Sequence, residues 1–226
     1  MNEAIGKFVG DNLFGLVTAG LSAVAIFYLK TLVKGLAASK KKHPLTIRDL
    51  DTYGTVIEAI TMALVKTRAA RCYVLSIRNG DVQINNLHQY KLYCDYEVVA
   101  DAISGMKPHL QAIPVQDVYS CVAMYYRQNN SVAGVTPIPN TDSYVYNHAD
   151  LEASTVKQMM VAAGTEITVH SVIRNKYGDV LGVVCIDYCS DYMKEFFTTN
   201  QVILLEELSA TRDRLQNIIR NNANEN

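Results

Sequence analysis

The chain has 226 residues, a formal net charge of −1 from 21 basic and 22 acidic side chains, 14 tyrosines, five cysteines and no tryptophan. That length holds one ordinary domain with a full core plus a short accessory segment, and the charge balance excludes the basic surface that nucleic-acid binding uses. The cysteines form an odd set without a CxxC pair and read as reduced, buried thiols in a cytoplasmic compartment.

Residues 1–12 form a short N-terminal segment that carries Glu3, Lys7 and Asp11. Residues 13–29 (LFGLVTAGLSAVAIFYL) then run for seventeen positions without a charge. A helix over that run rises roughly 25 Å, and Lys30 and Lys34 lengthen the usable stretch by snorkelling. The run lies between the lengths of a core helix and a membrane span. The flanking Lys30, Lys34, Lys40, Lys41 and Lys42 decide for a transmembrane helix over residues 13–34, with Tyr28 at the interface. A cleaved secretory signal fits poorly, because acidic residues precede the run and the small-residue site Ala37-Ala38 lies beyond two lysines. Only Lys7 precedes the run. The basic excess behind it predicts a single-pass membrane protein whose soluble domain faces the cytoplasm, with the basic linker, residues 35–44, against membrane lipid.

Residues 45–221 form the predicted soluble domain, and residues 222–226 a polar tail. Because the anchor and linker hold a lysine surplus, this domain is net acidic and no nucleic-acid partner is expected. Leu50, Tyr53, Ile57, Ile60 and Leu64 recur at three- and four-residue steps, which predicts an amphipathic helix over residues 45–70. Residues 71–78 (RCYVLSIR) read as a strand with Cys72 and Val74 on one face and Tyr73, Leu75 and Ile77 on the other, closed by the turn dipeptide Asn79-Gly80. Residues 92–99 read as a strand or a strand-to-helix junction, 118–128 as a helix, and 129–147, rich in Asn, Pro, Gly and Ser, as a loop. A further helix is predicted over 151–163, with Val156, Met159 and Met160 on its apolar side. Residues 166–174 (EITVHSVIR) and 180–188 (VLGVVCIDY) form a hairpin that turns through Asn175, Lys176, Tyr177 and Gly178. A final helix runs from about residue 199 to 221, with Thr198 and Gln201 placed as a capping box.

No stretch carries a specific catalytic signature. His43, His88, His109, His148 and His170 are scattered singly, without metal-ligand spacing, and His170 alternates within a strand as a packed or surface residue does. There is no G-x-S-x-G, no phosphate-binding glycine loop and no nucleotide fingerprint. Asp95 and Glu97 lie two apart, so on a strand they share a face, as an acid and base pair or a divalent-ion site requires; a solvated strand face is the plainer reading. The expectation is a protein that is not an enzyme and uses no cofactor and no metal. Cys185 and Cys189 straddle the end of the last strand, too far apart along extended backbone for a disulfide. Tyrosines crowd the middle of the chain, and a ring with a hydroxyl handle suits a small-molecule pocket or a protein interface. The candidate ligand contacts are Tyr93, Asp95, Glu97, Tyr125, Tyr144 and Tyr146.

The order helix, strand, turn, irregular middle, long hairpin, helix resembles the GAF and PAS group of sensor domains. Its most characteristic piece is residues 177–187 (YGDVLGVVCID), similar to the closing strands of a GAF domain. The resemblance implies an α+β fold, an antiparallel sheet with the first and last helices on one face and ligand-binding loops on the other. The polar signature of cyclic-nucleotide-binding GAF domains is not recognisable, no bilin-attaching cysteine is assigned, and the cysteine pattern of the GAF-type methionine sulfoxide reductases does not map onto this chain. A second resemblance is to the large phage holins, which also join one N-terminal membrane helix to a soluble domain; there the domain lies outside the cytoplasm, against the lysine asymmetry here.

Leu205, Leu208, Leu215 and Ile219 on the last helix keep coiled-coil spacing, and Leu50, Ile57 and Leu64 keep it on the first. The GAF resemblance implies that these helices form a dimer interface, so a homo-oligomer is expected. The sequence reading is therefore a membrane-tethered GAF-like binding, regulatory or scaffold module for a small ligand or protein partner, with a holin-type lysis protein as the alternative.

Overall fold

Apolar periodicity places the first described helix. In the computed structural model, which describes residues 47–82, 88–126 and 131–223, helix α1 spans Ile47–Thr67. Val56, Ala59, Ile60, Ala63, Leu64 and Thr67 are its buried stripe, the i, i+3, i+4, i+7 pattern of one helix face. The helix stops at Arg68, whose φ of 52° is left-handed, while the Ala69 N–H closes back on the Leu64 carbonyl at 3.2 Å.

Strands β1 (Arg71–Val82) and β2 (His88–Val99) follow, then a short β3 (Ile113–Pro114), a 3-10 turn (Val115–Val118) and α2 (Tyr119–Tyr126). After these come β4 (Val135–Pro137), β5 (Ser143–Asn147), α3 (Thr155–Ala162), β6 (Ile167–Arg174), β7 (Val180–Tyr188) and α4 (Asp191–Ala223). These seven strands form one sheet in the order β3-β2-β1-β7-β6-β5-β4, with neighbouring strands antiparallel. The β6–β7 hairpin turns through Asn175, whose Oδ1 accepts from the Tyr177 and Asp179 N–H groups, and Gly178 supplies the positive φ of 90° that the turn demands.

Side chains alternate across the sheet and divide the core in two. Cys72, Val74, Ile167, Val169, Ile173, Val184, Ile186 and Tyr188 face α1 and α4, where they meet Ile60, Leu204, Leu208 and Leu215. Tyr73, Leu75, Leu92, Tyr144, Tyr146, Val172, Val183 and Cys185 face the other way, under α2 and α3. Helices α1 and α4 on one face and connecting segments on the other form the GAF-like α+β layering that the resemblance implies.

The sequence reading needs correction at several points. Asn79-Gly80 does not close β1. The ladder continues to Val82↔His88 across an irregularity after Asn79↔Tyr90. Residues 129–147 are not a loop throughout, since β4 and β5 lie within them, with Tyr144 and Tyr146 alternating onto the core and Tyr146 pairing with Val135 and Thr168. The last helix begins at Asp191, and Thr198 is no cap: its hydroxyl donates to the Lys194 carbonyl one turn back. The Ser190 hydroxyl instead accepts from the Met193 N–H, and the helix bends at Asn200, where φ/ψ of −112°/17° is not helical. Leu64, Leu208 and Leu215, three of the residues expected at an oligomer interface, are buried against the sheet of their own chain. Ile57, Leu205 and Ile219 are partly buried on the same cluster, and Leu50 is 53% exposed.

Among the described residues no helix is long and apolar enough to cross a membrane. The span predicted at residues 13–34 and Lys30, Lys34, Lys40, Lys41 and Lys42 lie outside the described residues.

Candidate functional site

The sheet face opposite α1 and α4 is incompletely filled. Between it and the cover formed by the 3-10 turn, α2 and α3 lies a cavity of about 280 Å³. Its floor is Tyr73, Leu75, Tyr146, Thr168, His170 and Val183, and its cover includes Val118, Cys121, Val122, Tyr125, Val156 and Met160. His148 and Leu151, between β5 and α3, complete one side. An apolar cavity of about 150 Å³ accepts a benzene ring, so this space takes a fused bicyclic molecule. Arg174 holds the cover down: its guanidinium donates to the Tyr125 carbonyl at 2.7 Å while pairing with Asp142 at 3.1 Å.

Two hydrogen-bonded chains lead into the cavity. In the first, the Tyr146 hydroxyl donates to Tyr125 Oη at 3.3 Å. Tyr125 in turn stands 2.6 Å from His170 Nδ1. The Tyr125 proton is not spent on Tyr146, so this hydroxyl is free to donate to Nδ1 whenever the His170 ring carries its proton on Nε2. The second chain begins at Asp187, buried in β7. Its Oδ1 accepts from Thr168 Oγ1 at 2.8 Å and from the Tyr73 hydroxyl at 3.1 Å, and its Oδ2 pairs with Arg71 at 3.3 Å. Thr168 Oγ1 is also 2.7 Å from His148 Nε2.

Arg71 is satisfied on every side. It donates to the Ser104 carbonyl at 2.8 Å, Thr165 Oγ1 at 2.9 Å, the Ala163 carbonyl at 2.9 Å and Cys189 Sγ at 3.1 Å. Removing one partner of such a buried ion pair strands the other charge, so the pair ties the start of β1 to the end of β7.

Burial governs the protonation of these groups. It lowers His170 to about 3, aided by the neighbouring His148, and lowers His148 to about 4, aided by Lys157. Both imidazoles are neutral near pH 7. Burial raises Tyr73, Tyr125 and Tyr146 well above the ordinary phenol range and Cys121 to about 11. Asp187 rises to about 6, again by burial, with Thr168, Arg71 and Tyr73 pulling it down. The buried imidazoles and phenols thus offer neutral donors and acceptors on a mostly apolar wall, which Asp117, Glu152 and Lys157 also line. Among the described residues no group of three or more His, Cys, Asp or Glu side chains is placed to hold a metal ion.

Of the residues singled out from sequence, Tyr125 and Tyr146 line this cavity, and Tyr144 lies beside them, 5.6 Å from the Tyr125 ring, with its hydroxyl on the Met124 carbonyl at 3.0 Å. Tyr93, Asp95 and Glu97 are elsewhere. A bulge after Val74↔Tyr96 leaves Asp95 unpaired in the ladder and sends Cys94 and Tyr96 to opposite faces. Asp95 pairs with Arg78, whose guanidinium covers the Tyr93 ring, and Glu97 accepts from the Met106 and Lys107 N–H groups at 2.6 and 2.8 Å. The two carboxylates are therefore occupied separately and do not converge. Sequence reasoning passed over His148, His170, Thr168 and Asp187. The available signal was polarity inside apolar strands, Thr168 and His170 two apart in ITVHSVIR and Asp187 in VVCIDY, because a charge or imidazole buried there demands partners.

No family model and no curated protein matches this chain. Among solved structures, the PixJ GAF domain of Thermosynechococcus elongatus in its blue-light absorbing form is 10% identical, with a TM-score of 0.47 over 77% of this chain and 91% of that one. The red/green cyanobacteriochrome NpR6012g4 in its red-light absorbing state is 12% identical, with a TM-score of 0.46 over 74% and 95%. The GAF domain/HD domain protein of Geobacter sulfurreducens is 9% identical, with a TM-score of 0.45 over 74% and 94%.

Proposed function

We propose that this chain is a GAF-like regulatory module without chemistry of its own, which binds one small, mostly apolar ligand between the sheet and the α2–α3 cover and is tethered to a membrane by residues 13–34. The observation that carries the reading is the 280 Å³ cavity, apolar over most of its wall and furnished with two imidazoles and two phenols already joined in hydrogen-bonded chains. A pocket of that design fixes the orientation of a ligand with few polar contacts and gains affinity from apolar burial. The thiol and phenols keep their protons at neutral pH and the imidazoles are weak bases, which supports recognition over nucleophilic catalysis. The tether rests on the uncharged run and its lysine flank; the holin-type alternative gains no support among the described residues.

Val118 lies at the 3-10 turn on the cavity wall and is only partly buried, so Val118→Trp fills the space at little cost to the fold. A ligand-observed NMR screen of bicyclic aromatic fragments against the full chain is expected to give hits that this variant loses. Hits that persist in Val118→Trp, or a screen without any, would reject the cavity as the binding site.

A further inference from the structure

We propose that the cavity takes an apolar molecule bearing a carbonyl-type hydrogen-bond acceptor, and that the Nε2–H of His170 is the donor that reads it. The proposal rests on the cavity being a ligand site and adds the chemical class of its occupant. The hydroxyl protons of the floor are spent inside the protein. Tyr73 and Thr168 donate to Asp187 Oδ1 at 3.1 and 2.8 Å, and Tyr146 donates to Tyr125 Oη at 3.3 Å. His170 is engaged through Nδ1, 2.6 Å from Tyr125 Oη, while its Nε2 has no hydrogen-bond partner among the described residues. Nor is Nε2 sealed off. Among the described residues the buried side-chain polar atom without a partner is His148 Nδ1, so the equally unpartnered His170 Nε2 keeps accessible surface, and its half-buried ring lies on the cavity floor.

The two phenols place the imidazole proton. Burial holds the His170 ring neutral, so it carries one proton. Tyr125 and Tyr146 are 3% and 2% exposed, and each has one proton to place. With Tyr146 donating to Tyr125 and Tyr125 to Nδ1, both phenol protons are used and the imidazole proton sits on Nε2. With the proton on Nδ1 instead, Tyr125 accepts from His170 and one phenol proton of the chain is left without an acceptor, at the desolvation cost of an unpaired buried group. The ring is also held in place, since the Tyr146 ring packs on it with centroids 4.1 Å apart while Tyr125 engages Nδ1. A carbonyl oxygen in the cavity therefore meets a fixed donor that no protein group claims. An occupant without an acceptor leaves that N–H unpaired.

The test compares 1-indanone with indane, fused bicyclics that differ by the carbonyl oxygen, by isothermal titration calorimetry on the full chain in mild detergent with detergent-only blanks. Both probes are uncharged, so Asp117, Glu152 and Lys157, which also line the cavity, do not separate them by charge. The readout is the ratio of the two affinities in the native chain and in His170→Phe, which keeps an aromatic ring and removes the donor. The preference for 1-indanone is expected to fall about tenfold in the variant, the scale of a polar group left unpaired, while indane changes less than twofold. A ratio that stays the same, or that changes through indane, overturns the assignment to His170 and leaves the cavity reading standing. Binding of neither probe to the native chain, or binding unchanged by Val118→Trp, overturns the cavity reading itself. Nitrogen-15 and proton spectra of histidine-labelled native chain test the same donor without any variant. His170 is expected to carry its proton on Nε2 and that proton to move downfield with 1-indanone but not with indane; a proton on Nδ1, or no downfield movement with 1-indanone bound, overturns the proposal.

Discussion

Asp187 is a carboxylate with no exposed surface in the middle of an apolar strand, and it is tolerated because Thr168, Tyr73 and Arg71 all donate to it. Each hydrogen bond favours its ionised form against the burial that raises it to about 6. Thr168→Val keeps the shape and removes one donor, so Asp187 is expected to titrate higher still, and the fold to lose about 1–3 kcal/mol as His148 Nε2 also loses its partner. Thr168→Ser, which retains the hydroxyl, is expected to behave as the native chain. Carbon-13 titration of the Asp187 carboxyl with urea unfolding of both variants decides; an unchanged titration in Thr168→Val removes the hydroxyl from the account. Gly182 meets a different constraint. A Cβ there would run into the Leu75 carbonyl oxygen on the neighbouring strand, so Gly182→Ala is expected to cost about 1–3 kcal/mol by overpacking, and a neutral result in urea unfolding would contradict the close β1–β7 approach.

Helix α4 shows at the level of an element why spacing predicts a helix better than it predicts what the helix touches. Leu204, Leu208, Thr211 and Leu215 are its buried stripe, whereas Val202 and Ile203 are 71% and 62% exposed. Leu208→Ala is expected to cost about 2–5 kcal/mol through the cavity it leaves, and Val202→Ala to stay within about 0.5 kcal/mol; urea midpoints that rank the other way would mean that α4 does not pack on the sheet through Leu208. The heptad spacing of Leu205, Leu208 and Leu215 is equally consistent with a second helix or a sheet as partner, and only tertiary pairing distinguishes them. What periodicity alone encodes was readable: the stripe of α1, the alternation of Cys72 and Val74 against Tyr73 and Leu75, and the β6–β7 hairpin with its Gly178 turn. What pairing decides was not: the bulge at Asp95 that separates it from Glu97, the strands β4 and β5 inside an apparent loop, and the early start of α4 before Asn200. The site divides in the same way. Tyr125 and Tyr146 stood out as amphipathic rings, but the Arg71–Asp187 contact joins residues 116 positions apart and the His148–Thr168 contact joins two separate strand ends, and no local pattern announces either.

For the whole molecule, the buried titratable groups of the cavity make stability depend on pH, and their signs oppose one another. His148 and His170 are lowered from 6.5 to about 4 and about 3, so the unfolded chain binds two protons that the fold refuses, and their contribution, full above about pH 6.5, is lost as pH falls through that window. Asp187 is raised from 3.8 to about 6, so the fold holds a proton that the unfolded chain releases, and its contribution is lost as pH rises toward 6. Near pH 5 the unfolded chain therefore carries about one net extra proton, two from the imidazoles less one from the carboxyl. Stability is expected to fall on acidification from pH 6.5 to 4.5 with a slope of about 1.4 kcal/mol per pH unit, the value for one proton. Replacing both imidazoles, His148→Gln with His170→Gln, leaves the Asp187 contribution alone, and the slope over the same range is expected to reverse, with the variant more stable at pH 4.5 than at 6.5. Urea unfolding across this range measures both chains. A native profile that is flat, or a double variant that keeps the native sign, would show that the cavity imidazoles are solvated and that the closed, apolar site described here does not persist in solution.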